Sequence, residues 1–156
     1  MSSAPISLQI ATALASALAQ ISVAAGYFND VRGASIDFVN FGKADQFPQI
    51  VVAEESANIT DSNAQAAYID SVYVCTGFVP SSVVGAISAA HRLRDDMLTA
   101  CGRIARNKKV FEVDGTQLVR EFQLIGPMEI HIAPDAQDFV QAVVRVSISH
   151  TRLFTT

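Results

Sequence analysis

Cysteine is scarce in this chain, with two in 156 residues, Cys75 and Cys101. That excludes a disulfide-stapled secreted scaffold and makes two free thiols in a reducing compartment the expected state. Charge is also sparse. Asp, Glu, Lys and Arg make up 17% of residues and hydrophobic types 50%, a balance too apolar for a disordered chain. Positive charge is missing from the N-terminal stretch, where the first Lys or Arg is Arg32, so the basic start of a secretory leader is not there. Long hydrophobic runs are missing too. Residues 6–25 are apolar on average, but alanine dominates them and Ser7, Gln9, Thr12, Ser16, Gln20 and Ser22 interrupt them. A membrane span needs about 20 mostly apolar residues, so the expectation is a core helix and no membrane association. The eight glycines are scattered. They form no dinucleotide-binding fingerprint, no phosphate loop and no nucleophile elbow, and there is no Cys-x-x-Cys.

What is present fits one domain. A folded chain of this mass exposes roughly 7,600 Å², against about 24,000 Å² unfolded, so a core forms without metal or disulfide. The net charge of −4 and pI near 5.2 argue against a dedicated nucleic-acid binder, whose domain is usually basic.

The periodicity predicts a helix from Pro5 to Ala25, with Ile10, Leu14, Leu18 and Ile21 on one face, Pro5 in its first turn and Gly26 as its stop. Strands are expected at Ser35–Phe41, Gln49–Glu54 and Ala67–Phe78, with polar loops at residues 42–47 and 55–65. A second helix is expected from Val83 to Arg106, opened by Pro80, Ser81 and Ser82, with serine as the N-cap. Its apolar face holds Ala86, Ala90, Leu93, Met97, Ala100, Cys101 and Ile104. Arg92 and Asp96, four residues apart, are expected to pair across its surface. Strands follow at Val110–Val113, Leu118–Leu124, Met128–Ile132 and Phe139–Thr151, with a turn over Pro134–Asp138. The fold class is α+β: a mixed or antiparallel sheet covered by two helices, in the order α-β-β-β-α-β-β-β.

Candidate chemistry is thin. Cys75 or Cys101 with His91, His131 or His150 makes a nucleophile pair on paper, but Cys101 shares the apolar helix face, where a free Cys acts as a small hydrophobe. His91 and Asp95 have a metal-ligand spacing and Asp96 is adjacent, yet zinc needs three or four convergent ligands. His131, Asp135 and Asp138 read as a polar strand end. Glu54 and Glu55 are adjacent, so on a strand they point to opposite faces and make a poor acid–base pair. The expectation is no catalytic residue, no metal and no cofactor.

Charge is unevenly spread. Residues 1–80 hold two basic residues against seven acids, a balance of −5, and residues 81–156 hold nine against eight, a balance of +1. Arg92, Arg94, Arg103, Arg106, Lys108 and Lys109 cluster on the second helix and just after it. They are the candidate basic contacts, and Glu54, Glu55 and Asp61 are the acidic ones. Beside the plain reading of a solvated face with cations at a helix C-terminus, the pattern suits a subunit whose acidic part meets a neighbour's basic part, or a basic surface facing DNA, which the acidic balance of the whole domain disfavours.

Several short motifs follow one another along the chain: Gly26-Tyr27 after the Ala-rich helix, then Asn29-Asp30-Val31; Phe47-Pro48, Ile50 to Val52, then Glu54-Glu55; Asp96-Met97-Leu98 with Ala100; and the Val-rich run Val140 to Ile148. In this order and overall length the chain resembles the tail terminator (tail completion) proteins of long-tailed bacteriophages. The tyrosine common near the end of that family's last strand is replaced by His150 and Arg152. The resemblance implies a structural virion protein. Its subunits would form a ring, often six-fold, that caps the tail tube at its head-proximal end, stops tube polymerisation and joins the tail to the neck. The implied partners are further copies of itself, the tail tube protein and the neck or head–tail connector proteins, with DNA passing through the lumen unread. Another connector or tail tube subunit is the alternative within the same class, and a small Cys/His enzyme is the alternative outside it.

Overall fold

The computed structural model describes residues 4–37, 47–132 and 139–154. Helix α1 (Ile6–Leu18) and strand β1 (Gly33–Ser35) come first, then the long strands β2 (Gln49–Ser62) and β3 (Ala66–Pro80). Helix α2 (Ala86–Arg106) follows, then a short hairpin of β4 (Glu112–Val113) and β5 (Thr116–Gln117), and the strands β6 (Glu121–Ile132) and β7 (Phe139–Leu153). Five strands form one sheet in the order β1-β2-β3-β7-β6. The β1–β2 pair is parallel and the remaining pairs are antiparallel. The fold is α+β.

Alternation along the strands places the core. On β3 Ser71, Tyr73, Cys75 and Val79 are buried, and on β7 Val140, Ala142, Val144, Val146 and Ile148 are buried. These positions share one face, and both helices lie on it. Helix α1 packs over β1 and β2, and α2 over β3, β7 and β6. The first helix buries Ile10, Leu14 and Leu18, and the second buries Leu93, Met97, Cys101 and Ile104. Each large aliphatic among them contributes roughly 1.5–3 kcal/mol of transfer free energy. At Gly77 the side chains of Leu93 and Met97 on α2 press against the sheet backbone. A Cβ there would stand 2.5 Å from Leu93 Cδ2, so the contact needs a residue without a side chain.

Several boundaries differ from the sequence reading, each for a physical reason. Helix α1 ends at Leu18. The chain then makes a turn and a 3-10 segment, Val23–Ala25, where Ser22 Oγ accepts from the Ala25 N–H at 3.2 Å. Gly26 has φ 95°, so it is a left-handed stop as expected, but for the 3-10 segment. The predicted loop at residues 55–65 is instead the outer half of β2 and a tight turn into β3, because every position from Ser56 to Ser62 except Thr60 has a partner on β3. Helix α2 begins after Gly85, which is left-handed and provides no side-chain cap, so Ser81 and Ser82 do not cap it. Val110 belongs to a 3-10 turn, Lys108–Phe111. The strands expected at Leu118–Leu124 and Met128–Ile132 form a single strand whose register shifts between Ile125 and Glu129. Most of the strand expected at Ser35–Phe41, nearly all of the loop at 42–47 and the turn at Pro134–Asp138 lie outside the described residues.

Candidate interaction surfaces

Asp96 is the first surprise on α2. It is 2% exposed and does not pair with Arg92. Its Oδ1 accepts from the Phe28 N–H, and its Oδ2 accepts from the Asn29 N–H and side-chain amide, all at 2.9 Å. A carboxylate receiving three donors ties the segment after Gly26 to the middle of α2. Arg103 sits over the Tyr27 ring with its guanidinium carbon 4.7 Å from the centroid, and Asp30 Oδ1 accepts from the Val23 N–H at 2.8 Å. Two motifs far apart in sequence, Gly26 to Asp30 and Asp96-Met97, are thus one structural unit. The helical spacing of Asp96 gave no signal of this, since it sits one step from the polar face.

The basic candidates line the exposed side of α2 and the turn after it. Arg92, Arg106 and Lys109 are exposed, and their side chains have no hydrogen-bond or ion-pair partner among the described residues. The others are partly engaged. Arg94 lies 3.5 Å from the His91 ring, Arg103 stacks on Tyr27, and Lys108 Nζ donates to the Arg120 carbonyl at 2.9 Å.

The acidic candidates are more occupied than the sequence suggested. Glu54 and Glu55 do diverge to opposite faces. Glu54 sits by Tyr73 on the helix side, where burial first and this carboxylate second push the phenol well above its ordinary range. Glu55 belongs to a network on the open face. Arg145 Nε donates to it at 3.0 Å, while Arg145 Nη1 donates to Glu129 at 2.7 Å and to the Pro127 carbonyl at 2.9 Å. The hydrogen bonds to Glu55 and Glu129 raise the guanidinium further, and the Arg145 bond holds Glu129 below the usual carboxylate range, assisted by His131. Arg145 therefore spans the open face from β2 to the shifted segment of β6. Asp61 is exposed at the β2 tip, where its carboxylate accepts from the Ser62 N–H.

The sheet ends on two strands. Among the described residues strand β6 pairs only with β7, and β1 covers only Gln49 to Val51 of β2. Among the described residues, the rest of β2 is therefore an edge. Both edges carry exposed apolar side chains: Ile59 on β2 at 67%, and Leu124, Met128 and Ile132 on β6 at 39%, 45% and 55%.

The two thiols are fully buried and adjacent. The hydrogen bond from Cys101, then burial, pushes the Cys75 thiol well up, which makes it a poor nucleophile. His91 is exposed on α2, and His131 contacts Glu129 on the open face. Asp135 and Asp138 lie outside the described residues. Among those described, no three His, Cys, Asp or Glu residues gather as metal ligands, and no helix is long and apolar enough to cross a membrane. No family model matches the chain, and no curated protein matches it in sequence.

Proposed function

We propose that this protein is a structural ring subunit of the tail terminator kind, which caps a phage tail tube and joins it to the neck, and that it is not an enzyme. The observation that carries this reading is the pair of unlike flanks. One flank is the β2 edge, with the exposed acids Glu54 and Asp61 and the apolar Ile59. The other is the β6 edge, with Leu124, Met128 and Ile132, over which α2 packs; the outer side of α2 and the turn after it carry Arg92, Arg106 and Lys109, cations without a partner among the described residues. A head-to-tail interface needs two different complementary patches on one subunit and closes into a ring when the rotation closes. Unpaired strand edges are ready templates for a neighbour's strand. Family resemblance supports the tube-capping role, and the partners implied are further copies, tube protein and neck protein.

Native mass spectrometry at micromolar concentration, with electron microscopy, tests the reading. A closed oligomer appearing as short rings supports it, long cylinders indicate a tube subunit instead, and a strict monomer that caps no tubes overturns it. Arg106→Glu with Lys109→Glu should weaken the ring, and salt should weaken it too, because exposed charges are screened beyond about 8 Å at physiological ionic strength.

A further inference from the structure

Among the described residues two buried polar side-chain atoms have no hydrogen-bond partner, Ser71 Oγ and His150 Nδ1, in residues 0% and 4% exposed. Leaving such groups unpaired is costly, so their placement needs a reason. Ser71 faces Ile148 and His150 faces Ile69 across the β3–β7 ladder, which makes the two groups diagonal neighbours on the helix side of the sheet. Both line a cavity of about 720 Å³ whose opposite wall is the first turn of α1. That turn has no side-chain cap, and the Leu8 N–H turns to the Pro5 carbonyl at 3.0 Å, so the N–H groups ahead of it lack the usual side-chain acceptor. Arg152 also lines the cavity and makes no ion pair among the described residues. A second cavity of about 310 Å³ adjoins it, sharing Ile6 and Arg152 and lined further by Leu118 and Leu153 and by the polar Thr116, Gln117, Arg120 and Thr151.

The donors converge on an acceptor that is not part of the chain. Arg152, the Ser71 hydroxyl, the His150 ring and the helix start all suit an oxyanion. Glu54 sets the charge of that oxyanion. It lines the same cavity, so one arginine is opposed by one carboxylate, and a dianion such as phosphate is repelled where a single negative charge is tolerated. The apolar side chains Ile6, Leu118 and Leu153 of the adjoining cavity set the rest of the ligand, while the Arg120 that also lines it is engaged over the Tyr68 ring, 5.0 Å from the centroid. We propose that this site binds a monocarboxylate with an apolar body, such as a medium-chain fatty acid. The carboxylate lies among Arg152, Ser71 and His150, and the chain runs past Ile6 toward Leu118 and Leu153. The inference does not depend on ring formation.

Octanoate is the probe, with octanol and inorganic phosphate as comparators, added to the intact protein and followed by calorimetry and amide and imidazole NMR. Saturable octanoate binding that shifts the Ser71 amide and the His150 ring is expected, with octanol and phosphate about tenfold weaker or more. Arg152→Gln, on an exposed side chain that leaves the core intact, should lose about tenfold in octanoate affinity, and Arg152→Lys should recover part of it. Absence of saturable octanoate binding overturns the proposal. So does octanol or phosphate binding as tightly as octanoate, or an affinity unchanged in Arg152→Gln.

Discussion

Along β7 the even positions from Val140 to Ile148 lie under the helices and are at most 4% exposed, while on the other face Gln141, Arg145, Ser147 and Ser149 are half-buried and Val143 alone among them is as buried, at 4%. The same strand thus serves two surfaces. The covered face is apolar and continuous with α1 and α2. The open face is mixed, crossed by Arg145 and its two glutamates, with half-buried Val72 and Val74 and a small apolar cluster in which Phe47 and Phe139 rings meet 5.0 Å apart beside Val51 and Phe78. Stability should therefore concentrate on one side, leaving the open side and the two edges with chemistry that folding does not require.

The sharpest test of that contrast is truncation on each face. Leu93→Ala, at a fully buried site packed against Gly77, should cost about 2–5 kcal/mol in urea unfolding. Val74→Ala, half-buried on the open face, should cost about 1 kcal/mol or less. Equal costs would break the contrast.

Asp96→Ala tests whether the covered side extends to the segment after Gly26. It strips the acceptor from the Phe28 and Asn29 N–H groups, and a loss of about 1–3 kcal/mol is expected for each donor left unsatisfied. Hydrogen exchange should quicken at both amides ahead of the β3 and β7 core. A variant that keeps both amides protected would mean that packing, with Arg103 on Tyr27, holds the segment without the carboxylate.

How far the sequence could reveal all this depends on which signal each feature emits. Helix faces and the cores of β3 and β7 emit a periodic one, and the two-helix α+β class was legible from it. The outer half of β2 emits none. Ser56, Asn58 and Asp61 look like loop residues, and they are strand only because β3 supplies a ladder. Candidate interface residues were legible as a charge imbalance, but their engagement was not. Glu55 is held by Arg145, which is 90 positions away, and Asp96 holds residues 67 and 68 positions before it. Contacts at such separations leave no mark on local spacing.

His150 is the polar exception on the covered face and gives a pH test. Burial lowers its ring below the ordinary value, and Glu54 partly opposes that. Glu54 and Arg152 are the charged groups that share its cavity. The folded protein therefore resists protonation that the unfolded chain accepts below about pH 6.5, so stability should fall as pH drops below that value. His150→Gln should flatten the fall between pH 7.5 and pH 5.5 in urea midpoints. An unchanged slope would show that the acid sensitivity lies elsewhere.

The open face offers the smallest effect. Arg145 bridges Glu55 and Glu129 with all three side chains partly exposed, 17%, 46% and 30%, and solvent-screened ion pairs contribute little. Arg145→Gln should therefore cost little at pH 7. Its pH dependence identifies the source. Glu129 is held below its ordinary value by Arg145 first, so its contribution is complete above about pH 4.3 and is lost as pH falls through its depressed folded value. The difference between the native protein and Arg145→Gln should shrink as the pH is lowered below 4. A difference that stays constant there would place the role of Arg145 in its hydrogen bond to the Pro127 carbonyl, a contact that does not titrate, and the bridge across the open face would then be holding the shape of the β6 edge.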